Sequence, residues 1–334
     1  MGNGSARKPA SVVIGLKDAR PKALLALHST VLRTLRLAED SVVIWTVAGV
    51  WVYDWRRLVL LRTLYRSQTT LTCTAICQHC TVLGCSSGLL TLLDLSTGET
   101  RWQEMLEVPA VQVLLRTEWL YAGFTSGEVH VWDTHTGHTV LRINRLQVEH
   151  LTPVRALTYT TRLELLFSAH SSHYTDLEGH LLASPAALVR GYEVQKGGKI
   201  ERYEGLTGSS VSAEVEEERK VLLVLSGPVP CVHIWAISNP CLLLRVQQCC
   251  SPGATSLSLS AANGHYHLAT SDGVVMVSSL TGELSTLHWT DYLRAQVNCG
   301  SNSAVSWLDL DEVSRSVTLG TAQGVVFLST NLVL

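Results

Sequence analysis

Two glycines ten residues apart, with an apolar or alternating run between them, stand at Gly88 and Gly98 in "GCSSGLLTLLDLSTGET". They return at Gly127 and Gly137 in "AGFTSGEVHVWDTHTGH", 39 residues later. A short run of alternating side chains, closed at each end by a residue free to take positive φ, is a strand between two tight turns. The frame comes back at Gly273 and Gly282 in "ATSDGVVMVSSLTGEL", one residue shorter, and starts again at Gly324 in "LGTAQGVVFLSTN". Repetition of this kind predicts an all-β architecture assembled from copies of one unit.

Aligned on Trp132, the copies give Tyr53, Leu93, Trp132, Tyr192, Trp235, Ser278 and Ser329, at intervals of 40, 39, 60, 43, 43 and 51 residues. A period near 40 to 45 residues with Trp-Asp and Thr-Gly punctuation marks four-stranded propeller blades. Through Trp132-Asp133, Tyr53-Asp54, the Ser-Gly or Asp-Gly turns and the Thr-Gly turns, across nearly its whole length, the chain resembles the WD-repeat β-propeller family. The expected architecture is a single seven-bladed β-propeller over residues 23–334, preceded by a flexible tail over residues 1–22. The last repeat, "AVSWLDL", "SVTLGTA" and "VVFLST", supplies three strands where a blade needs four, and an apolar strand at Ala23 to His28 has no other place. That N-terminal strand is expected to complete blade seven, closing the ring and hiding an unpaired edge. In the family a His ahead of the inner strand joins a buried set with a Ser or Thr, an Asp and the Trp. His28 and His150 hold that position here, which implies structural roles for both.

Charge and composition narrow the function. With 26 Lys and Arg against 28 Asp and Glu, the net charge of −2 offers no field to draw in phosphate backbones, so no nucleic-acid partner is expected. Val221 to Leu244 carries no charged residue over a length that could span a bilayer. Pro228, Pro230 and Pro240 break it as a helix, and it falls in register as three strands of blade five. Residues 1–9 are polar and no apolar run follows them, so no secretory signal is read, and nine cysteines then point to mostly free thiols in a reducing, cytoplasmic setting. Cys77, His79, Cys80 and Cys85 invite a zinc reading, but no second pair matches the Cys77 to Cys80 spacing, and buried thiols on strands are expected instead.

No Gly-x-Ser-x-Gly elbow, phosphate-cradling loop or His-Glu-x-x-His helix occurs, so no catalytic residue, cofactor or resident metal is expected. The acidic run "EVEEERK", Glu214 to Lys220, reads as a solvated turn of blade five. The long intervals carry more information. The 60-residue step inserts residues 168–188 between the second and third strands of blade four, and the 51-residue step lengthens the connection Thr290 to Ser303. In the family's strand order both emerge on one face. Loops beyond about a dozen residues in a compact domain are functional or disordered. His173, Tyr174, Asp176, Tyr292 and Arg294 are therefore the candidate partner-binding residues, since Tyr and Arg combine apolar area with hydrogen bonding. His170, His173, Asp176 and His180 are the metal-ligand alternative, at a spacing that matches no strong motif.

Two short motifs complete the reading. "MGNGSARK" looks like an N-myristoylation start at Gly2, with Ala6 where the stricter pattern has Ser or Thr; the alternative is a plain flexible tail. One acyl chain holds weakly, so peripheral membrane contact would also draw on Arg7, Lys8, Lys17, Arg20 and Lys22. "VYDWR", Val52 to Arg56, resembles the motif of WD-repeat substrate receptors of cullin-RING ubiquitin ligases. The expected function is a non-catalytic scaffold that presents loops to one or more proteins within a larger complex. The alternatives are such a ubiquitin-ligase receptor and an enzyme with a site at the propeller channel.

Overall fold

The computed structural model describes residues 21–330 apart from internal stretches, of which 144–151, 184–188, 195–199, 248–255 and 289–304 are the longest. Among the described residues there are thirty strands and no helix, and the strands form seven four-stranded antiparallel sheets and one two-stranded sheet. The chain opens with β1 (Pro21–Ala26) and then makes the first sheet from β2 (Val31–Ala38), β3 (Ser41–Thr46), β4 (Gly49–Asp54) and β5 (Val59–Arg66). The second sheet is β6 (Leu71–Cys77), β7 (Cys80–Cys85), β8 (Leu89–Asp94) and β9 (Thr100–Met105). The third is β10 (Gln112–Leu115), β11 (Trp119–Gly123), β12 (Val129–Asp133) and β13 (Thr139–Ile143).

The fourth sheet is interrupted. It begins with β14 (Val154–Thr160) and β15 (Leu165–His170), gives way to a hairpin of β16 (His173–Thr175) and β17 (Leu181–Ala183), and resumes with β18 (Val189–Glu193) and β19 (Ile200–Tyr203). The fifth follows as β20 (Ser209–Glu216), β21 (Val221–Gly227), β22 (Cys231–Ala236) and β23 (Leu242–Gln247), which places the long apolar stretch from Val221 in three paired strands. No helix among the described residues is long and apolar enough to cross a membrane. The sixth sheet is β24 (Ser256–Ala262), β25 (His265–Thr270), β26 (Val274–Ser279) and β27 (Leu284–His288). The seventh is β28 (Val305–Asp311), β29 (Ser316–Thr321) and β30 (Val325–Thr330), and β1 pairs antiparallel with β30 to make its fourth strand. That strand begins at Pro21, two residues before the expected boundary at Ala23, while residues 27–28 lie outside the described residues.

Every residue of the Trp132 series lies in the third strand of its sheet, from Tyr53 in β4 to Ser329 in β30. Six of the sheets also share an irregularity that sequence does not advertise. Their first strands carry a register shift near the start, at Val31/Arg33, Leu71/Cys73, Val154/Ala156, Ser210/Ser212, Ser256/Ser258 and Val305/Trp307. An extra residue there bends the strand and raises its twist.

The sheets pack face against face. One core cluster joins Val43, Trp45 and Val52 of the first sheet to Leu83, Cys85 and Leu93 of the second, and the next joins Val82 and Leu92 to Leu120 and Trp132. Tyr121 and Val131 meet Leu166 and Tyr192, and Phe167 and Tyr203 meet Leu222 and Trp235. A second strand such as β7 or β15 is therefore covered on both faces and buried along nearly its whole length, whereas the fourth strands β9 and β13 alternate with exposed residues. The first strands lie beside one another in succession, β2 by β6, β6 by β10, β10 by β14, β14 by β20, β20 by β24, β24 by β28 and β28 by β2.

The Thr-Gly turns have a common construction. Asp133 Oδ1 accepts the backbone N–H groups of His135 and Thr136, and Asp94 Oδ1 accepts those of Ser96 and Thr97. Bonds from the Ser96 hydroxyl and the Arg101 guanidinium hold the Asp94 carboxyl well below the usual carboxylate range. Gly98 and Gly137 then adopt φ of 80° and 71°, where a side chain is strained. A Cβ on Gly137 would also stand 3.0 Å from the Trp102 ring, and one on Gly98 3.3 Å from Leu64. Trp102 Nε1 donates to the Thr134 carbonyl at 3.0 Å, and Arg62 donates to the Ser96 carbonyl at 2.9 Å. Each turn is thus a lid over the outer strand of the preceding sheet.

Candidate functional site

The insertion of the fourth sheet starts later than its sequence suggested. Ser168, Ala169 and His170 belong to β15, and alternation along that strand places Ser168 and His170 on one face. Ser168 Oγ lies 2.7 Å from His170 Nε2 and 3.2 Å from Tyr192 Oη, while His170 Nδ1 lies 2.9 Å from the Thr152 carbonyl. A carbonyl only accepts, so the proton sits on Nδ1 and Nε2 accepts from the Ser168 hydroxyl. Burial pushes the His170 pKa down to about 4, against the pull of the Thr152 bond, which fixes the neutral ring.

A Ser-His pair at that distance is the geometry of an activated nucleophile. Here Ser168 is 0% and His170 2% exposed, so no substrate reaches either, and the pair joins β15, β18 and the segment ahead of β14. With both ring nitrogens engaged, His170 also leaves the metal-ligand alternative that grouped it with His173, Asp176 and His180. Among the described residues no group of three or more His, Cys, Asp or Glu is arranged to hold a metal ion. Cys77 and Cys80 face each other across the β6–β7 turn, whereas Cys85 lies at the far end of β7 beside Ser67, so those thiols do not converge. The five described cysteines are free.

The β16–β17 hairpin follows Ser168 and His170 in the chain, and its strands pair with each other and with no other sheet among the described residues. His173 is exposed, with Nδ1 2.7 Å from Ser172 Oγ, and Tyr174 lies opposite Leu182. Of the other expected contact residues, Asp176, Tyr292 and Arg294 lie outside the described residues, as does Gly2. The hairpin therefore brings His173 and Tyr174 together, and the Thr290 to Ser303 connection falls outside the description.

A second site, which the sequence did not suggest, lies at the opposite end of the same strands. A cleft of about 920 Å³ opens between the third and fourth sheets beside the β10–β11 and β14–β15 turns. Its aliphatic wall is Val131, Leu141 and Val194, and its aromatic residues are Trp119, Tyr121 and Tyr159. Tyr121 and Tyr159 stack at 5.7 Å, and the Arg116 guanidinium lies 5.5 Å from the centre of the Tyr159 ring. Arg116 Nη2 donates to the Tyr159 carbonyl at 3.2 Å. Arg116 Nε is buried without a hydrogen bond, whereas the buried Tyr121 hydroxyl has the Tyr159 hydroxyl as its side-chain partner. Burial raises the Tyr121 hydroxyl well above the usual phenol range. Arg116 and Tyr159 fall one sheet apart, 43 residues in sequence, so no local pattern could have paired them.

The acidic run of the fifth sheet is less solvated than expected. Glu216 is buried and accepts the Arg219 N–H at 2.6 Å. Glu217 accepts the Thr160 hydroxyl at 2.9 Å and the Thr161 N–H at 2.6 Å, tying the fifth sheet to the β14–β15 turn.

No family model matches the chain, and no curated relative matches it. Among solved structures the chain is similar to the computationally designed Ika8 protein, at a TM-score of 0.65 and 15% identity over 90% of this chain and 83% of that one. The chain thus shares an all-β, repeated-sheet fold with that design.

Proposed function

We propose that the chain is a seven-bladed propeller of the WD-repeat type and serves as a non-catalytic platform for other proteins. The succession of first strands that returns from β28 to β2 supports seven blades around an axis, with the β1–β30 pairing as the clasp of the ring. The observation that carries the functional reading is the β16–β17 hairpin, an independently paired element set between β15 and β18 where the other sheets leave two to five residues between their second and third strands. A rigid ring that offers such a loop needs roughly 1,200 to 2,000 Å² of contact for specific binding. Tyr174 on the hairpin, with Tyr292 and Arg294 on the Thr290 to Ser303 connection, supplies the residue types that dominate interface energetics. An acyl chain on Gly2 would tether this platform to a membrane in the cytoplasm.

The test replaces residues 171–188 with a four-residue turn and compares copurifying proteins with those of the intact chain. The shortened protein is expected to fold and to lose its main partner, with Tyr174→Ala producing a partial loss of about tenfold or more in affinity. Recovery of the same partners in the same amounts by the folded, shortened protein would reject the hairpin as the contact surface.

A further inference from the structure

The β6–β7 hairpin closes on a pair of cysteines. Cys77 ends one strand, Cys80 begins the next, and they pair directly across the ladder with only Gln78 and His79 between them. Residues opposed in an antiparallel pair project to the same face with Cα atoms about 4.5 to 5.5 Å apart, within the roughly 4.4 to 6.8 Å that a disulfide spans. Both side chains are partly buried and pack against the same core cluster between the second and third sheets, and both thiols are free. Cys77 also lines the open cleft beside the β10–β11 turn. The other two thiols of this sheet, Cys73 and Cys85, are buried and lie opposite Gly84 and Leu71 rather than each other.

The fit is close but not relaxed. Cβ atoms opposed across a ladder stand about 4.5 to 5.5 Å apart, whereas a relaxed disulfide holds them at about 3.8 Å. Gln78 already takes a φ of 51°, in the left-handed region that a residue with a side chain adopts at a cost. A bond formed here pulls the two Cβ atoms inward against a tight turn, and strain of that kind makes a disulfide easy to reduce.

We propose that Cys77 and Cys80 form a reversible dithiol–disulfide couple, oxidised by a small-molecule disulfide of the glutathione type. Cys77 Sγ, as the thiolate, attacks one sulfur of the oxidant; the oxidant's S–S bond breaks, and its other half leaves and takes up the proton that Cys77 gave. Cys80 Sγ, likewise deprotonated, then attacks Cys77 Sγ, so the mixed S–S bond breaks, the Cys77–Cys80 bond forms and the second half leaves as a thiol. The protein loses two hydrogens with their electrons, and the oxidant gains them as two thiols. Cys77 reacts first because it lines the cleft. Burial pushes the Cys80 thiol up, against the pull of Arg101, which fits it to the later step, where the target sulfur is held beside it. In the reduced protein Cys77 Sγ lies 3.9 Å from Thr117 Oγ1, and Gln78 Nε2 donates to the same hydroxyl at 3.4 Å. Oxidation therefore takes the thiol hydrogen out of a contact between this turn and the β10–β11 turn. The couple is separate from the β16–β17 surface and does not depend on it.

The experiment equilibrates the full chain with constant reduced and graded oxidised glutathione. Free thiols are blocked with iodoacetamide, the protein is reduced, and the thiols so released are labelled with N-ethylmaleimide and located by fragment mass spectrometry. Labels on Cys77 and Cys80 are expected to rise together, from under a tenth to over nine tenths across about a hundredfold change in oxidised glutathione, the slope of a two-electron couple. Cys80→Ser is expected to stop at a glutathione adduct on Cys77, and Cys77→Ser to leave Cys80 unlabelled; should either variant fail to fold, the labelling of the unsubstituted chain decides. Cys77 and Cys80 that stay reduced throughout, or whose labels rise independently or together with those of Cys73 or Cys85, would overturn the proposal. So would a Cys77→Ser protein that oxidises at Cys80 as the parent does.

Discussion

Lowering the pH should remove the stabilising contribution of His170 in a window set by its own two pKa values. The ring titrates at about 4 in the folded protein against 6.5 for the free side chain. Above pH 6.5 both states carry a neutral ring and the buried set contributes in full. As pH falls the unfolded chain takes up a proton that the folded chain refuses, so stability is lost down to pH 4, where the folded ring also titrates. Linkage puts the loss at about 1 kcal/mol by pH 5.5 and about 2 to 3 kcal/mol by pH 4.5. The assay is urea unfolding of the intact protein and of His170→Gln at four pH values from about 7.5 to 4.5. Titration of every other group is common to the two proteins, so the stability gap between them should narrow by those amounts as pH falls. A gap that stays constant would mean that His170 titrates alike in both states, and the buried Ser168–His170–Tyr192 set would have to be abandoned.

Two further outcomes follow from the turns and the chain ends. Gly137→Ala and Gly98→Ala should each cost about 1 to 2 kcal/mol in denaturant unfolding, because φ is positive at both. Gly137 should be the worse, since its Cβ would meet a Trp102 ring atom at 3.0 Å where Gly98 meets the end of a Leu at 3.3 Å; variants as stable as the parent would contradict the lid construction. Deleting residues 1–30 removes β1 and bares the edge of β30, so the truncated protein should aggregate. A soluble product with an unchanged melting temperature would count against the clasp.

The strands were legible because their signals are local. Alternation, Ser-Gly and Thr-Gly turns and a recurring aromatic fix where a strand starts and stops, and Trp132, Tyr192 and Trp235 each lie in the third strand of their sheet. The pairing of β1 with β30 was legible by counting, since the last repeat lacks a strand. What sequence hid is what depends on partners from other strands or other sheets. His28 and His150, expected to be buried structural histidines, lie outside the described residues; the fourth sheet does bury His170, and the sole sign was Ser168 and His170 on one side of β15, obscured by the "HSSH" that His170 begins. Glu217 looked like part of a solvated acidic run because its partners, Thr160 and Thr161, belong to the sheet before it. The cleft was invisible for the same reason: Arg116 and Tyr121 come from one sheet and Tyr159 from the next, and each reads as an ordinary strand residue in its own context.

The pairing of β1 with β30 also imposes a delay during synthesis. Roughly 300 residues separate the two strands, and at about 5 to 20 residues per second the ribosome needs on the order of 15 to 60 s to make the partner after β1 has emerged. A hairpin forms in about 1 to 10 μs, so β1 waits millions of times longer than its neighbours need to find theirs. During that wait the outer edge of the first sheet, where Val59, Leu60 and Leu61 are all exposed, stands close by as a false partner. A nascent chain of this design must keep its first strand out of register with everything it meets, which makes its folding more dependent on translation speed and chaperone cover than its stability would suggest.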